Sequence, residues 1–369
     1  MSRRPVPVAA RIAWFRAYCQ WMASTRWPIV VGPFRSELGF EVLYWMPLVK
    51  WALSRYDIDP ARVLVLSRGG MGGLYDAGAT ADLYAMRSVD QVRLENILDA
   101  ETRGIQKQTS VTEWDRIVAR EALETAKKPT GLHHLFHPSW MYWLFEPWWE
   151  DRATHHLIAN HTAFKPLPLV PLPAGFTLPK KFAAVRFYER HTLPMNVETQ
   201  AMVGDMVRGV AKQIPVVLLN QPHLCADDHV DFPVGGDNIF LLPQVTPDTN
   251  FLLQAAVMAR TECFIGTYGG MSQFALRYGR GSLSFFTQFS GTALAHMNLS
   301  TRLSLGMRIP FETVNLQATA LYKSTVGNIA LMPARASSVV VQTADGPASQ
   351  VPATLQPQGR DVEVVGAAV

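Results

Sequence analysis

Short runs of apolar residues alternate with stretches in which apolar positions recur every three or four residues, most regularly in the second half of the chain. The order there is an apolar run over 181–190, helical spacing over 197–213, runs over 215–220 and 238–242, and helical spacing over 250–260. A short run over 263–265, a helix over about 271–278 and a run over 282–286 follow. Runs this short and this apolar suit strands buried on both faces, and their alternation with helices predicts a parallel, doubly wound sheet. The first half repeats the theme less regularly. It has strands over 28–31 and 62–66, and between them a loop and an apolar helix that Pro47 either kinks or starts. The pattern predicts an α/β protein of two Rossmann-like lobes with parallel sheets and a cleft between them. The expected divisions are a basic amphipathic segment over 1–27, lobes over 28–175 and 176–333, and a disordered tail over 334–369, where aromatic residues almost vanish.

Ligands of such sheets bind outside the carboxyl ends of the strands, so the chemistry is sought there. Gly266-Thr267-Tyr268-Gly269-Gly270 follows one strand and opens a helix carrying Ser272 and Gln273. Glycines admit close backbone approach, and a helix start offers free N–H groups to an anion. A tight strand-to-helix connection explains the same glycines without any ligand. Neither the Gly-x-Gly-x-x-Gly dinucleotide pattern nor a phosphate loop ending in Gly-Lys-Ser/Thr is present. Arg186 and Arg190 flank Tyr188 at another strand end, where a planar guanidinium suits a phosphate. Asn220 ends a third strand. In the first half, Ser67-Arg68-Gly69-Gly70-Met71-Gly72-Gly73 ends a strand with four glycines, more than core packing is expected to need.

The order Gly32-Pro-Phe-Arg-Ser-Glu-Leu-Gly-Phe-Glu-Val-Leu-Tyr-Trp45, Ser67-Arg-Gly-Gly70, Val185-Arg-Phe-Tyr188, Asp227-Asp-His229 and Gly266-Thr-Tyr-Gly-Gly270 resembles a group of bacterial glycosyltransferase-like proteins. These are similar to the two-lobed GT-B glycosyltransferases, heptosyl- and fucosyltransferases among them. The resemblance covers about 28–320. It implies an acceptor in the first lobe and a nucleotide sugar in the second, with neither metal nor cofactor, and a glycan or lipid-linked precursor as acceptor. Such a transferase must neutralise a diphosphate leaving group, for which Arg186, Arg190, Arg68 and the Gly266 turn with Ser272 and Gln273 are the candidates. It must also deprotonate an acceptor hydroxyl if it inverts configuration. Glu37 is the first candidate base and Glu41 the second, while Glu37 could instead cap the next helix or pair with Arg35. Asn220 and Gln221 lie where a base and ribose would sit.

Composition narrows the class. With 369 residues and 48% hydrophobic content the chain can bury two ordinary cores. It holds no apolar run long enough to span a bilayer and no secretory signal, and Cys19, Cys225 and Cys263 are too widely spaced for a disulfide framework. A soluble cytoplasmic enzyme is expected. A net charge of +4 is too diffuse for nucleic acid. Over 8–22, Trp14, Tyr18 and Trp21 among arginines predict either a helix packed on the first lobe or a peripheral contact with the inner face of a membrane. Asp227, Asp228, His229 and Asp231 have spacing open to a divalent metal, although a solvated loop explains them as well. His133, His134 and His137 belong with nearby aromatic residues, as a packing layer or an acceptor platform, and His191 could touch phosphate. The rival functions are a nucleotide-sugar-binding protein without turnover and a transferase of a non-sugar group such as pyruvyl.

Overall fold

The computed structural model describes residues 6–103, 108–190, 192–194, 196–220, 229–232, 234–288 and 293–316. Its strands are β1 (Ile29–Val31), β2 (Val63–Ser67), β3 (Ala79–Asp82), β4 (His134–Phe136), β5 (Ala183–Arg186), β6 (Val216–Leu218), β7 (Ile239–Leu241), β8 (Cys263–Thr267), β9 (Gly281–Phe286) and β10 (Phe311–Asn315). They form a four-stranded sheet of order β3-β2-β1-β4 and a six-stranded sheet of order β10-β9-β8-β5-β6-β7, parallel throughout. Helices flank both sheets, so the protein is α/β with two Rossmann-like lobes.

Alternation along each strand sets three layers of core. Val30, Leu64 and Leu66 face Val118, Ala122 and Leu123 of the helix Glu113–Thr125. The intervening residues Ile29, Val31, Val63 and Val65 belong to a larger core, which also takes Ala184, Val217 and Phe264 from the second sheet. Val185, Leu218, Ile265 and Phe285 face the other way, against Val203 and Val207 of the helix Val197–Ala211. The two lobes therefore share one apolar core, and both sheets belong to one compact unit.

Three strands are invisible in the hydropathy pattern. β3 is an edge strand without a fully buried position, β10 buries only Phe311, and β4 has a histidine where an apolar residue is expected. The strand expected over 181–190 stops at Arg186. Beyond it the Thr267 hydroxyl accepts from the Tyr188 N–H at 2.9 Å and donates to the Tyr188 carbonyl at 3.0 Å. Tyr188 then bridges Asp231, and Arg190 bridges Leu193, both antiparallel. Pro47 marks a start: a five-residue π-helical turn, Glu41–Trp45, precedes the α-helix Met46–Arg55, whose first turn contains it.

The N-terminal segment is a packed helix, Val8–Ser24, that buries Arg11, Phe15, Cys19 and Met22. Tyr18 stacks on Trp140 at 4.6 Å and Trp14 on Trp143 at 5.7 Å, so the aromatic residues beside the histidines are a packing layer. No described helix is long and apolar enough to cross a membrane. Arg3, Arg4, His191, Gln221, Cys225, Asp227, Asp228 and the tail over 334–369 lie outside the described residues.

Candidate active site at the junction of the lobes

The loop after β1 is held by contacts from both lobes. Gly32 takes φ +120°, and a Cβ there would sit 2.1 Å from the Leu66 carbonyl oxygen, so only glycine lets the chain turn against β2. Arg35 is buried, its guanidinium 2.6 Å from Asp99 and 3.5 Å from Asp115. Burial alone would raise the Asp115 pKa, but the hydrogen bond and charge of His137, with Arg35 behind them, hold it down to about 2. Ser36 Oγ lies 2.7 Å from the Tyr142 hydroxyl, and its carbonyl accepts from Arg68. Glu37 comes next, in the N-cap position of the short helix Leu38–Phe40, without a side-chain capping bond. Neither bland role therefore holds it: it does not cap the helix, and Arg35 is bound to other carboxylates. Its Oε1 lies instead 3.4 Å from Arg190 Nη2 of the second lobe, with the Glu37 side chain 35% and the Arg190 side chain 21% exposed.

Glu41 has the opposite surroundings. It is fully buried, and its carboxylate accepts from Ser67 Oγ at 2.6 Å, Arg68 Nη1 at 2.7 Å and the Tyr75 hydroxyl at 2.8 Å. Burial first, and the Glu41 charge second, push the Tyr75 pKa well up, which keeps the phenol a donor. Arg68 is buried too, its guanidinium 5.4 Å from the Phe34 ring centre and 5.2 Å from that of Phe251 in the second lobe. The glycines after it also serve that contact: a Cβ on Gly69 would meet Phe251 at 2.5 Å and one on Gly70 would meet Leu252 at 2.7 Å. Gly73, by contrast, has open space where a Cβ would sit, so the four glycines are not all packing positions.

Across the junction Arg186 is 1% exposed, and its Nε donates to Asp231 at 3.0 Å. The guanidinium carbon stands 5.3 Å from the Tyr188 ring, which stacks on His229 at 4.5 Å. Asn220 Nδ2 donates to the Phe232 carbonyl at 3.1 Å, while its Oδ1 is buried without a partner among the described residues. In the glycine turn, Gly266 packs on β5, where a Cβ would meet the Arg186 carbonyl oxygen at 2.0 Å. The Thr267 hydroxyl is committed to Tyr188, the Tyr268 hydroxyl donates to the Ala293 carbonyl at 3.2 Å, and Ser272 Oγ donates to the Gly269 carbonyl at 2.7 Å. A Cβ on Gly269 would reach the Tyr188 hydroxyl at 2.3 Å.

The helix Gly270–Arg277 starts directly on the first lobe. A Cβ on Gly270 would lie 2.8 Å from the Gly39 backbone nitrogen, and one on Gly39 would lie 2.5 Å from Gln273 Oε1, which is buried without a hydrogen-bond partner among the described residues. Both halves of the sequence reading thus meet at one place: Glu37 and Gly39 from the first lobe, Arg190, Gly269, Gly270 and Gln273 from the second. Arg186, Thr267 and Ser272 support that place from behind. His296 carried no sequence signal of its own. His296, on the helix Ala293–Met307, has Nδ1 2.8 Å from the Tyr44 hydroxyl and stands edge-on to Phe40 at 4.6 Å, a pairing across 252 positions of sequence. Among the described residues no three His, Cys, Asp or Glu side chains gather to hold a metal ion.

No family model matches the chain, and no curated sequence matches it. Several solved structures do. A heptosyltransferase of E. coli with ADP is similar over 82% of this chain and 98% of its own, at 12% identity and TM-score 0.41. The glycosyl transferase family 9 protein of Veillonella parvula is similar over 83% and 99%, at 10% identity and TM-score 0.40. The putative UDP-N-acetylglucosamine 2-epimerase of Listeria monocytogenes is similar over 84% and 91%, at 12% identity and TM-score 0.36. Likenesses of this size leave the chemistry to be argued from the site.

Proposed function

We propose that the protein is a glycosyltransferase that moves a sugar from a nucleotide-sugar donor to a glycan or lipid-linked acceptor. In this reading residues 28–175 hold the acceptor and 176–333 the donor. The observation that carries it is the pairing of the half-exposed Glu37 with Arg190 across the lobe junction, beside the start of the helix Gly270–Arg277. A carboxylate held next to an anion seat suits base-assisted displacement. The acceptor oxygen bonds to the anomeric carbon while the bond from that carbon to the diphosphate breaks. The acceptor proton passes to Glu37, and the electron pair leaves with the nucleoside diphosphate. Arg190 exchanges Glu37 for that diphosphate, and the N–H groups that open the helix Gly270–Arg277 share its charge. Buried and triply bonded, Glu41 keeps the loop in place and is the weaker candidate for the base. Arg186, whose charge Asp231 meets, holds Tyr188 beside the turn.

Location at the inner face of a membrane belongs to the same proposal. The outer side of the helix Val8–Ser24 leaves Trp14 60% and Trp21 51% exposed, with Arg16 and Arg26 also at the surface. That combination suits the headgroup region, where a lipid-linked acceptor would be met.

The test is release of nucleoside diphosphate from a panel of nucleotide sugars with candidate acceptors, using wild type, Glu37→Gln and Arg190→Ala. Turnover by wild type and not by Glu37→Gln supports the transferase. Tight donor binding without turnover by wild type would replace it with the binding-protein reading, which needs no base.

A further inference from the structure

A second group of cations lies at the far end of the helix Gly270–Arg277. Lys50, on the helix Met46–Arg55, is 8% exposed and makes no hydrogen bond or ion pair among the described residues. Arg277 is 5% exposed. Its Nη2 donates to the Lys165 carbonyl at 2.9 Å and its guanidinium carbon stands 5.1 Å from the Phe164 ring, but its Nε is buried without a partner among the described residues. The segment carrying Lys165 is pinned at both sides, because the Ala163 N–H donates to the Pro47 carbonyl at 2.9 Å. It draws the helix of Lys50 and the end of the other helix together, with the exposed Lys165 ammonium at the rim. Burial lowers the Lys50 pKa, and the charges facing it are Arg277 and Lys165, which lower it further, and the exposed Asp76, which opposes them. Burial also brings Arg277 down to about 10. No carboxylate lies within ion-pair distance of Lys50 or Arg277 among the described residues.

Two largely buried cations tied to one segment are costly unless an anion accompanies them, and the unused Arg277 Nε–H and the Lys50 ammonium leave donors for one. The contribution of cations to the helix C-terminus explains Arg277 in its last turn, but it does not explain a lysine brought in from the other lobe. The geometry points to a second anion site, formed by Lys50, Arg277 and Lys165 and distinct from the glycine turn, that takes a phosphate group, either free or on a lipid headgroup. Because its residues come from both lobes, occupancy ties them together at the end of the helix opposite the proposed donor seat.

The experiment uses the full chain and inorganic phosphate. Acylation of Lys50 by a lysine reagent is followed by peptide mass spectrometry at constant ionic strength, with chloride as the control anion. Phosphate at ten times its dissociation constant should slow Lys50 acylation about tenfold, by occupancy alone, in wild type and in Arg190→Ala alike. Phosphate should also raise the melting temperature of wild type and of Arg190→Ala but not of Lys50→Met. If free phosphate protects nothing, vesicles of phosphatidylcholine with phosphatidic acid test the lipid source: sedimentation with them should fall in Lys50→Met, and fall further when that change is combined with Trp14→Ala/Trp21→Ala. The site is refuted if chloride protects Lys50 as well as phosphate does. It is equally refuted if neither phosphate nor the anionic vesicles distinguish Lys50→Met from wild type.

Discussion

Glu37 and Glu41 lie one helical turn apart, and substitution should separate them. Glu37→Gln keeps size and hydrogen bonding but cannot take a proton, so turnover should fall about a hundredfold or more while nucleotide affinity hardly moves. Calorimetry beside a diphosphate-release assay measures both, and full activity would sink the carboxylate as base. Glu41→Gln should act on stability. Arg68, buried and bonded to Glu41 at 2.7 Å, loses its counter-charge, and removal of one partner from a buried pair typically costs about 3–5 kcal/mol. A urea unfolding midpoint equal to wild type would show that the pair anchors nothing. Arg186→Ala should also cost stability, since it leaves Asp231 and Gln254 without their buried partner.

At the scale of elements, the start of the helix Gly270–Arg277 is pressed against Leu38 and Gly39, and the neighbouring atoms decide what each glycine tolerates. An alanine at 270 meets backbone and the Leu38 Cβ at 2.9 Å, which cannot swing aside, so Gly270→Ala should lose about 1–3 kcal/mol. Gly39→Ala meets the end of the Gln273 amide, which can rotate, and should lose less. At Gly269 the obstacle is the Tyr188 hydroxyl, so Tyr188→Phe should recover part of the stability lost in Gly269→Ala. Additive losses in that double mutant would show that the hydroxyl is not the obstacle. The outer face of the helix Val8–Ser24 makes a separate prediction: Trp14→Ala/Trp21→Ala should reduce sedimentation with anionic vesicles several-fold while the melting temperature changes little. Equal sedimentation would remove the membrane contact of that helix.

For the whole molecule, pH reports on the contact between the lobes. Asp82 accepts the Gly70 N–H at 2.7 Å, and burial raises its pKa to about 6 from 3.8, with Asp248 of the second lobe adding to the rise. The folded state binds more protons than the unfolded one between those values. This contribution is therefore complete below about pH 4 and is lost as pH climbs through 6, about 3 kcal/mol in all. His134, lowered by burial to about 4, has the reverse slope in the same window. Asp82→Asn should remove the falling component, so its stability should decline less than that of wild type from pH 4 to 7; parallel curves would refute the assignment. By itself the sequence determined the two parallel sheets, because central strands buried on both faces leave continuous apolar runs, as at β1, β2 and β8. It also placed Glu37, Arg190 and the Gly266 turn at strand ends, since strand order and glycine chemistry are local. Edge strands β3 and β10 escaped it, as half-buried strands leave no apolar run. Only the tertiary structure decided which acid is exposed and which is locked to Arg68, and that Gly39 and Gly70 serve contact between lobes. Those properties depend on residues far apart in sequence, Glu37 with Arg190 and Tyr44 with His296, which no local pattern encodes.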